Sequence, residues 1–323
     1  MRAPQAKADL RQAARSATSG FSAPGIEAIL EDTVIIVSAP RSGSSLLFEQ
    51  LALIPGIWTI GGESHGILRA FPHLQAENPE FDSGSLGEVH ADAETRQLLQ
   101  SCFLYLLKDH HGGRYLDRPE SQRPSKVCLV EKTPRNALNI PFLLNVFPRA
   151  KFIYLYRDPR ETVASLIEAW SLGLQTGRFV TFHGLPGWDR PAWCFLLPRG
   201  WRKMRGRSLA EIAAFQWSAS NTVIMDELAK LPSQRWTTIT FQSLIAQPRE
   251  ALARLCRFAG IEVDDGQLPD GMLPLSRTAL TPPRADKWMK YKNEFEALSP
   301  TLSATARKFE SFCQGRQEPV NQG

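Results

Sequence analysis

Short apolar runs alternate along this chain with longer segments in which apolar residues recur at helical spacing. The run TVIIVS (33–38) is short and β-branched and gives way to a Pro/Gly/Ser stretch, which predicts a buried strand. It leads through APRSGSS into SLLFEQLALI (45–54), whose spacing predicts a helix, so the passage reads as strand–loop–helix. A second region starts with KVCLVE (126–131), passes through NALNIPFLLNVFP (136–148) and reaches KFIYLY (151–156), followed by RDPRETVASLIEAW (157–170). Asp158 and Pro159 supply a cap and a first-turn residue for a helix there. Residues 171–206 break the rhythm with Gly, Pro and the tryptophans at 188, 193 and 201. After them SLAEIAAFQWSASNTVIMDELAKL (208–231) predicts a long amphipathic helix, and WTTITF (236–241) another strand. The alternation predicts an α/β fold: a three-layer arrangement of a parallel central sheet flanked by helices, with ligands gathered at the carboxyl ends of the strands.

Composition narrows the class without deciding it. The 323 residues are 43% hydrophobic, enough to bury a substantial core. A net charge of +5 and a pI near 9.0 suit an anionic ligand. The 38 basic and 33 acidic residues are dispersed, so nucleic-acid binding is not indicated. Cys102, Cys128, Cys194, Cys256 and Cys313 lie far apart without metal-ligand spacing, which suggests neither a zinc site nor a disulfide framework and fits a reducing compartment. No apolar stretch reaches the roughly 18–20 residues that span a bilayer, and the N-terminal segment lacks a secretory apolar core. The expectation is a cytoplasmic protein.

The loop after Val37 holds the first candidate chemistry. A Gly/Ser turn between a buried strand and a helix offers backbone N–H groups and the positive helix end to an anion. Ser42, Ser44 and Ser45 add hydroxyls around Gly43, and Arg41 adds a forked cation. The plain alternative is a helix cap in an ordinary turn. A triphosphate-binding Walker loop requires Lys after its last Gly, and the residue after Gly43 is Ser44. In VEKTPRN, Lys132 stands at a strand end and reaches the same crevice if its strand neighbours the first; otherwise it is a solvated charge. Arg157 stands at the end of another strand. Ser165, seven positions beyond Asp158 and about two helical turns on, faces the same way as that helix start, so a phosphate could bridge the two.

APRSGSSLL, EKTPRN and FIYLYRDPRETVASL, in this order, resemble the sulfotransferases that use 3′-phosphoadenosine 5′-phosphosulfate (PAPS), across about residues 33–298. WCFLLPRGWRKMRGRSLAEIAAFQW and TPPRADKW resemble the bacterial branch that includes sulfotransferase domains of polyketide and olefin-forming pathways. The resemblance implies a P-loop-like fold in which Arg41, Ser42, Gly43, Ser44 and Ser45 hold the cofactor's 5′-phosphosulfate and Arg157 and Ser165 its 3′-phosphate. Lys132 matches the lysine beside the bridging and sulfuryl oxygens. Where the cytosolic enzymes carry a catalytic histidine two residues later, this chain has Pro134, so the base must come from elsewhere. In GGESHG, Glu63 and His65 follow the first helix and return toward the strand ends. Glu63 is the preferred base and His65 the orienting group or alternative base, His65 having the better intrinsic match to neutral pH; the plain alternative is that the two are polar loop residues shaped by the Gly61-Gly62 turn.

Arg284, Lys287 and Trp288 in TPPRADKW resemble a C-terminal segment that folds over the cofactor, with a solvated basic loop as the alternative. The tryptophans of 171–206 could line an acceptor pocket or form core. The implied organisation is a polar N-terminal extension (1–30), a sulfotransferase domain (31–298) with an acceptor-site or lid insertion at 171–206, and a C-terminal helix and tail (299–323). The implied reaction moves a sulfuryl group from PAPS to an acceptor hydroxyl, on a small molecule or on an acyl chain carried by a carrier protein, and releases adenosine 3′,5′-bisphosphate; no metal is required by the motifs. A P-loop-type small-molecule kinase and a non-catalytic nucleotide-binding module are the competing readings.

Overall fold

In the computed structural model, which describes residues 3–75, 82–280 and 286–314, the apolar run after Thr33 becomes the central strand of a five-stranded sheet. Among the described residues seven strands form: β1 (Val34–Val37), β2 (Ile57–Trp58), β3 (Cys128–Lys132), β4 (Lys151–Tyr156), β5 (Val180–His183), β6 (Ala192–Cys194) and β7 (Trp236–Thr240). The main sheet has the order β2-β3-β1-β4-β7, and each neighbouring pair is parallel. Every position of β1 is buried. Val34 and Ile36 belong to a cluster with Leu47, Leu51 and Leu252, whereas Ile35 and Val37 belong to the larger cluster with Phe142, Phe152 and Trp217. A parallel sheet covered on both faces needs apolar residues at successive positions, which is why these strands read as unbroken runs.

Register aligns the strand ends. Ile36 lies across from Lys132 on one side and Ile153 on the other, so β3 and β4 flank β1 directly. The loop after β1, the end of β3, Arg157 after β4 and Phe241 after β7 therefore emerge at one edge. The helix Pro159–Thr176 starts as the sequence predicts: the Asp158 carboxylate accepts from the N–H groups of Arg160 (2.9 Å) and Glu161 (3.2 Å). It runs past Trp170 to end at Gly177 in the left-handed region (φ 78°). The helix Leu209–Leu228, expected to be amphipathic, is buried on most of its surface, with Ala213, Ala214 and Ser220 letting its neighbours approach.

Residues 171–206 are more regular than their composition predicts. They hold the last turns of the preceding helix and an antiparallel hairpin of β5 and β6, built on a separate aromatic cluster of Trp170, Phe182, Trp193 and Trp201. Trp193 meets Trp170, Trp188 and Trp201 at ring separations of 5.2, 4.8 and 5.8 Å. Each indole N–H has a partner, Gln216 Oε1 for Trp170 and backbone carbonyls for the other three. The tryptophans are thus the hairpin's core and its edge, the second of the two roles open to them.

The terminal segments are not appendages. Residues 3–30, expected as a polar extension, contain the helices Ala3–Ala17 and Ala23–Ile29, and bury Ala14, Ile26, Ile29 and Leu30 in the large cluster. Apolar residues spaced at helical intervals within a polar composition account for the difference. The C-terminal helix begins at Lys292, before the expected boundary at 299, and its Phe309 stacks on Tyr156 of β4 at 3.7 Å. Among the described residues no helix is long and apolar enough to cross a membrane.

Candidate active site

A cleft of about 610 Å³ opens at the carboxyl edge of the sheet. Its floor begins with the loop after β1. Gly43 caps the helix Ser44–Leu51 in the left-handed region (φ 97°), and a Cβ there would overlap the Phe241 ring. Glycine is required twice over at this position, by the backbone and by the close approach. Arg41, Gly43, Ser44 and Ser45 line the cleft; Ser42 is buried and is not among the lining residues.

Three guanidinium groups gather on one side. Arg41 Nε donates to Ser165 Oγ (3.3 Å) and Nη1 to the Thr278 carbonyl (3.0 Å). Arg157 pairs with Glu161 (2.9 Å), donates to the Arg41 carbonyl (3.3 Å), and places its guanidinium 4.3 Å from the Phe241 ring centre. Burial, and then the positive charges of Arg157 and Arg178, push Arg41 down to about 10. A desolvated, mutually repelling group of cations is a site whose energy falls when an anion enters. The side chain of Arg41, expected at the 5′ end of the cofactor, is therefore grouped in this structure with Ser165 and Arg157.

The second group lies at the end of β3. Lys132 is 3% exposed; its Nζ donates to Ser45 Oγ (2.9 Å) and pairs with one oxygen of Glu63. The neighbourhood of β1 and β3 is what brings Lys132 to the loop, as the sequence reading requires. The other Glu63 oxygen bonds His65 Nε2 at 2.9 Å. Burial acts to raise the Glu63 pKa, but the His65 hydrogen bond and the charge and hydrogen bond of Lys132 outweigh it and bring the carboxyl down to about 2. Pro134 opens the short 3-10 helix Pro134–Leu138 and lines the cleft.

Sequence reasoning missed what supports this pair. The Ser64 N–H donates to Thr133 Oγ1 (2.8 Å), and the two hydroxyls lie 3.0 Å apart. The Thr133 hydroxyl donates to the buried Glu131 (2.7 Å), whose second oxygen accepts from Asn136. Burial, the largest influence, raises the Glu131 pKa. The signal available was alternation: Glu131 and Thr133 flank Lys132 and point to the opposite face. Phe179, Phe195 and Phe241, also unforeseen, line the cleft.

The remaining candidates separate. Lys287 lines the cleft and pairs with Glu168 (3.6 Å). Trp288 instead packs against Arg160 (4.8 Å) and edge-on to Phe295 (6.0 Å), and Arg284 lies outside the described residues. Among the described residues no group of three or more His, Cys, Asp and Glu could hold a metal.

A sulfotransferase family model matches residues 33–187. A protein-tyrosine sulfotransferase A from Caenorhabditis elegans is 21% identical over 234 residues, 72% of this chain; the chain spans about half the length of that curated relative, 50%. Similar solved structures include the sulfotransferase domain of the Synechococcus PCC 7002 olefin synthase, at 22% identity over 84% of this chain and 94% of the other (TM-score 0.42). Sulfotransferase STF9 from Mycobacterium avium is 16% identical over 91% of this chain and 81% of the other (TM-score 0.49). The strand–loop–helix, the Glu63/His65 loop, Lys132 and Arg157 all fall within residues 33–187, the stretch that matches the sulfotransferase family model.

Proposed function

We propose that this protein is a sulfotransferase that uses PAPS as donor and transfers its sulfuryl group to a hydroxyl on an apolar acceptor, releasing adenosine 3′,5′-bisphosphate. The observation that carries the reading is the division of one cleft between two anion-holding groups: Ser44 and Ser45 backed by Lys132, and Arg41, Arg157 and Ser165. A ligand with phosphate groups at two ends matches that division, and the volume suits a nucleotide-sized molecule. The Arg41 guanidinium, pushed down to about 10 by burial and by its cationic neighbours, fits an anion held beside the loop.

When bound, PAPS supplies the activated sulfuryl group and a phosphate leaving group. Lys132 and the Ser45 hydroxyl are suited to the negative charge that grows as the leaving group departs, and fixed charges in a partly desolvated cleft act strongly there. Both Glu63 oxygens are engaged, and a carboxylate held at about 2 is a weak base. The preference for Glu63 as base therefore gives way to a division of labour. Glu63 holds His65 through Nε2, and His65 takes the acceptor's proton on Nδ1. The acceptor wall is formed by the β5–β6 insertion and its flanks, with Phe179, Val180, Phe195 and Leu196 facing the cleft. A small apolar alcohol or an acyl chain on a carrier protein fits such a wall.

The proton-transfer assignment is tested by the release of bisphosphate from PAPS with a panel of aryl and alkyl alcohols. His65→Ala should lower turnover by about 10²–10⁴-fold with bisphosphate affinity kept, and Glu63→Gln by less. Full activity of His65→Ala beside an inactive Glu63→Gln would return the base to Glu63.

A further inference from the structure

Among the described residues, the non-glycine positions with left-handed backbone are Arg41 (φ 68°), Phe179 (φ 67°) and Phe195 (φ 63°). They come from three separate segments, yet they form one line of contacts. The Arg41 guanidinium lies 5.3 Å from the Phe179 ring centre. The Phe179 and Phe195 rings stack at 5.2 Å with 25° between their planes, and the Phe195 N–H donates to the Phe179 carbonyl (3.0 Å). Left-handed backbone costs free energy at each such residue and persists where the surroundings impose it. Three such residues in contact at one wall of the cleft point to a constraint that serves the site.

The surroundings that impose it are visible. Phe179 follows Gly177, where the helix Pro159–Thr176 ends, and precedes β5 of the tryptophan-cored hairpin. The ring thus sits on a rigid support when it meets Arg41. Arg41, in turn, is a cation in a partly buried position near two others, held through its Ser165 and Thr278 bonds. A carboxylate at position 179 would fix that guanidinium by neutralising it. An aromatic ring steadies it through its quadrupole and leaves its charge free for a ligand.

We infer that Phe179 is a positioning residue: its ring fixes the Arg41 guanidinium, so the insertion that walls the acceptor end also sets the anion grip of the donor end. Its bearing on donor binding rests on the PAPS reading above; the contact itself does not. The bland counterpart is that Phe179 is an apolar filler beside the arginine stem. Leucine and tyrosine separate the two, because neither is β-branched and both meet the same backbone constraint, but tyrosine alone keeps the ring.

The test is calorimetric binding of adenosine 3′,5′-bisphosphate to the full chain, with melting of the unliganded proteins to verify folding. Phe179→Leu should weaken binding about tenfold, about 1.4 kcal/mol, and Phe179→Tyr should stay within about threefold of the unaltered protein. On an Arg41→Gln background, Phe179→Leu should add nothing. Unchanged affinity in Phe179→Leu, equal losses in Leu and Tyr, or an undiminished loss without Arg41 would each overturn the inference. If the unaltered protein binds no bisphosphate, the donor reading fails separately. Exchange of the Arg41 Nε–H proton, measured by NMR on the free protein, then decides the positioning role: faster exchange in Phe179→Leu supports it, and equal exchange overturns it.

Discussion

Glu63 shows how much a residue's chemistry depends on its neighbours. Its carboxyl is held at about 2 against an ordinary value near 4.5, so the folded state favours the ionised form more than the unfolded chain does. The sign follows from linkage: a depressed carboxyl contributes stability that is present above about pH 4.5 and lost as pH falls through about 2. Glu63→Gln removes that contribution. Urea midpoints of the two proteins should therefore converge between pH 5 and pH 2, and a constant difference across that range would contradict the pairing with Lys132 and His65. At this scale the sequence was informative for residues whose chemistry stands at a strand end. Lys132, Arg157 and the Gly43 loop were legible because position after an apolar run implies the crevice. Glu131 and Thr133 were legible only as facing away from Lys132; their joining with Ser64 and Asn136 was not, because a buried polar network depends on which loops meet. Trp288 shows the same limit: an aromatic in a basic segment has several partners open to it, and in the structure it packs against Arg160 and Phe295.

Elements followed the sequence wherever one periodicity ruled. β4 spans the residues its pattern marks, and the helix after Asp158 starts at its cap. The β5–β6 hairpin was invisible because its strands are short and its tryptophans answer to a local cluster instead of alternating in and out. The hairpin is seated by an unremarked glycine. A Cβ at Gly173 would lie 2.5 Å from Cys194 Sγ and 2.7 Å from the Arg178 carbonyl, so the helix could not approach β6. Gly173→Ala should cost about 1–3 kcal/mol in urea unfolding. Gly66, in the helix His65–Arg69 with nothing within 4 Å, should accept alanine without loss. Equal effects at both positions would contradict the close packing of hairpin on helix, and with it the rigid support under Phe179.

On the scale of the whole molecule, the parallel sheet brings four strand ends to one edge, and the flanking segments hold them there. The N-terminal helices and the C-terminal helix complete the large cluster, so the cleft rests on a core drawn from most of the described chain. The molecule's mild positive charge is less informative than its local arrangement, since Arg41, Arg157 and Arg178 concentrate cations where Glu161 and Glu168 only partly offset them. The proposed ligand of this cleft is a nucleotide with phosphates at both its 3′ and 5′ positions. Calorimetric titration of the protein with adenosine 3′,5′-bisphosphate and with ATP plus magnesium, repeated on Arg157→Ala, tests it most directly. The bisphosphate should bind more tightly, with a selective loss of it, relative to adenosine 5′-phosphate, in Arg157→Ala; preference for ATP with magnesium would contradict the proposed ligand.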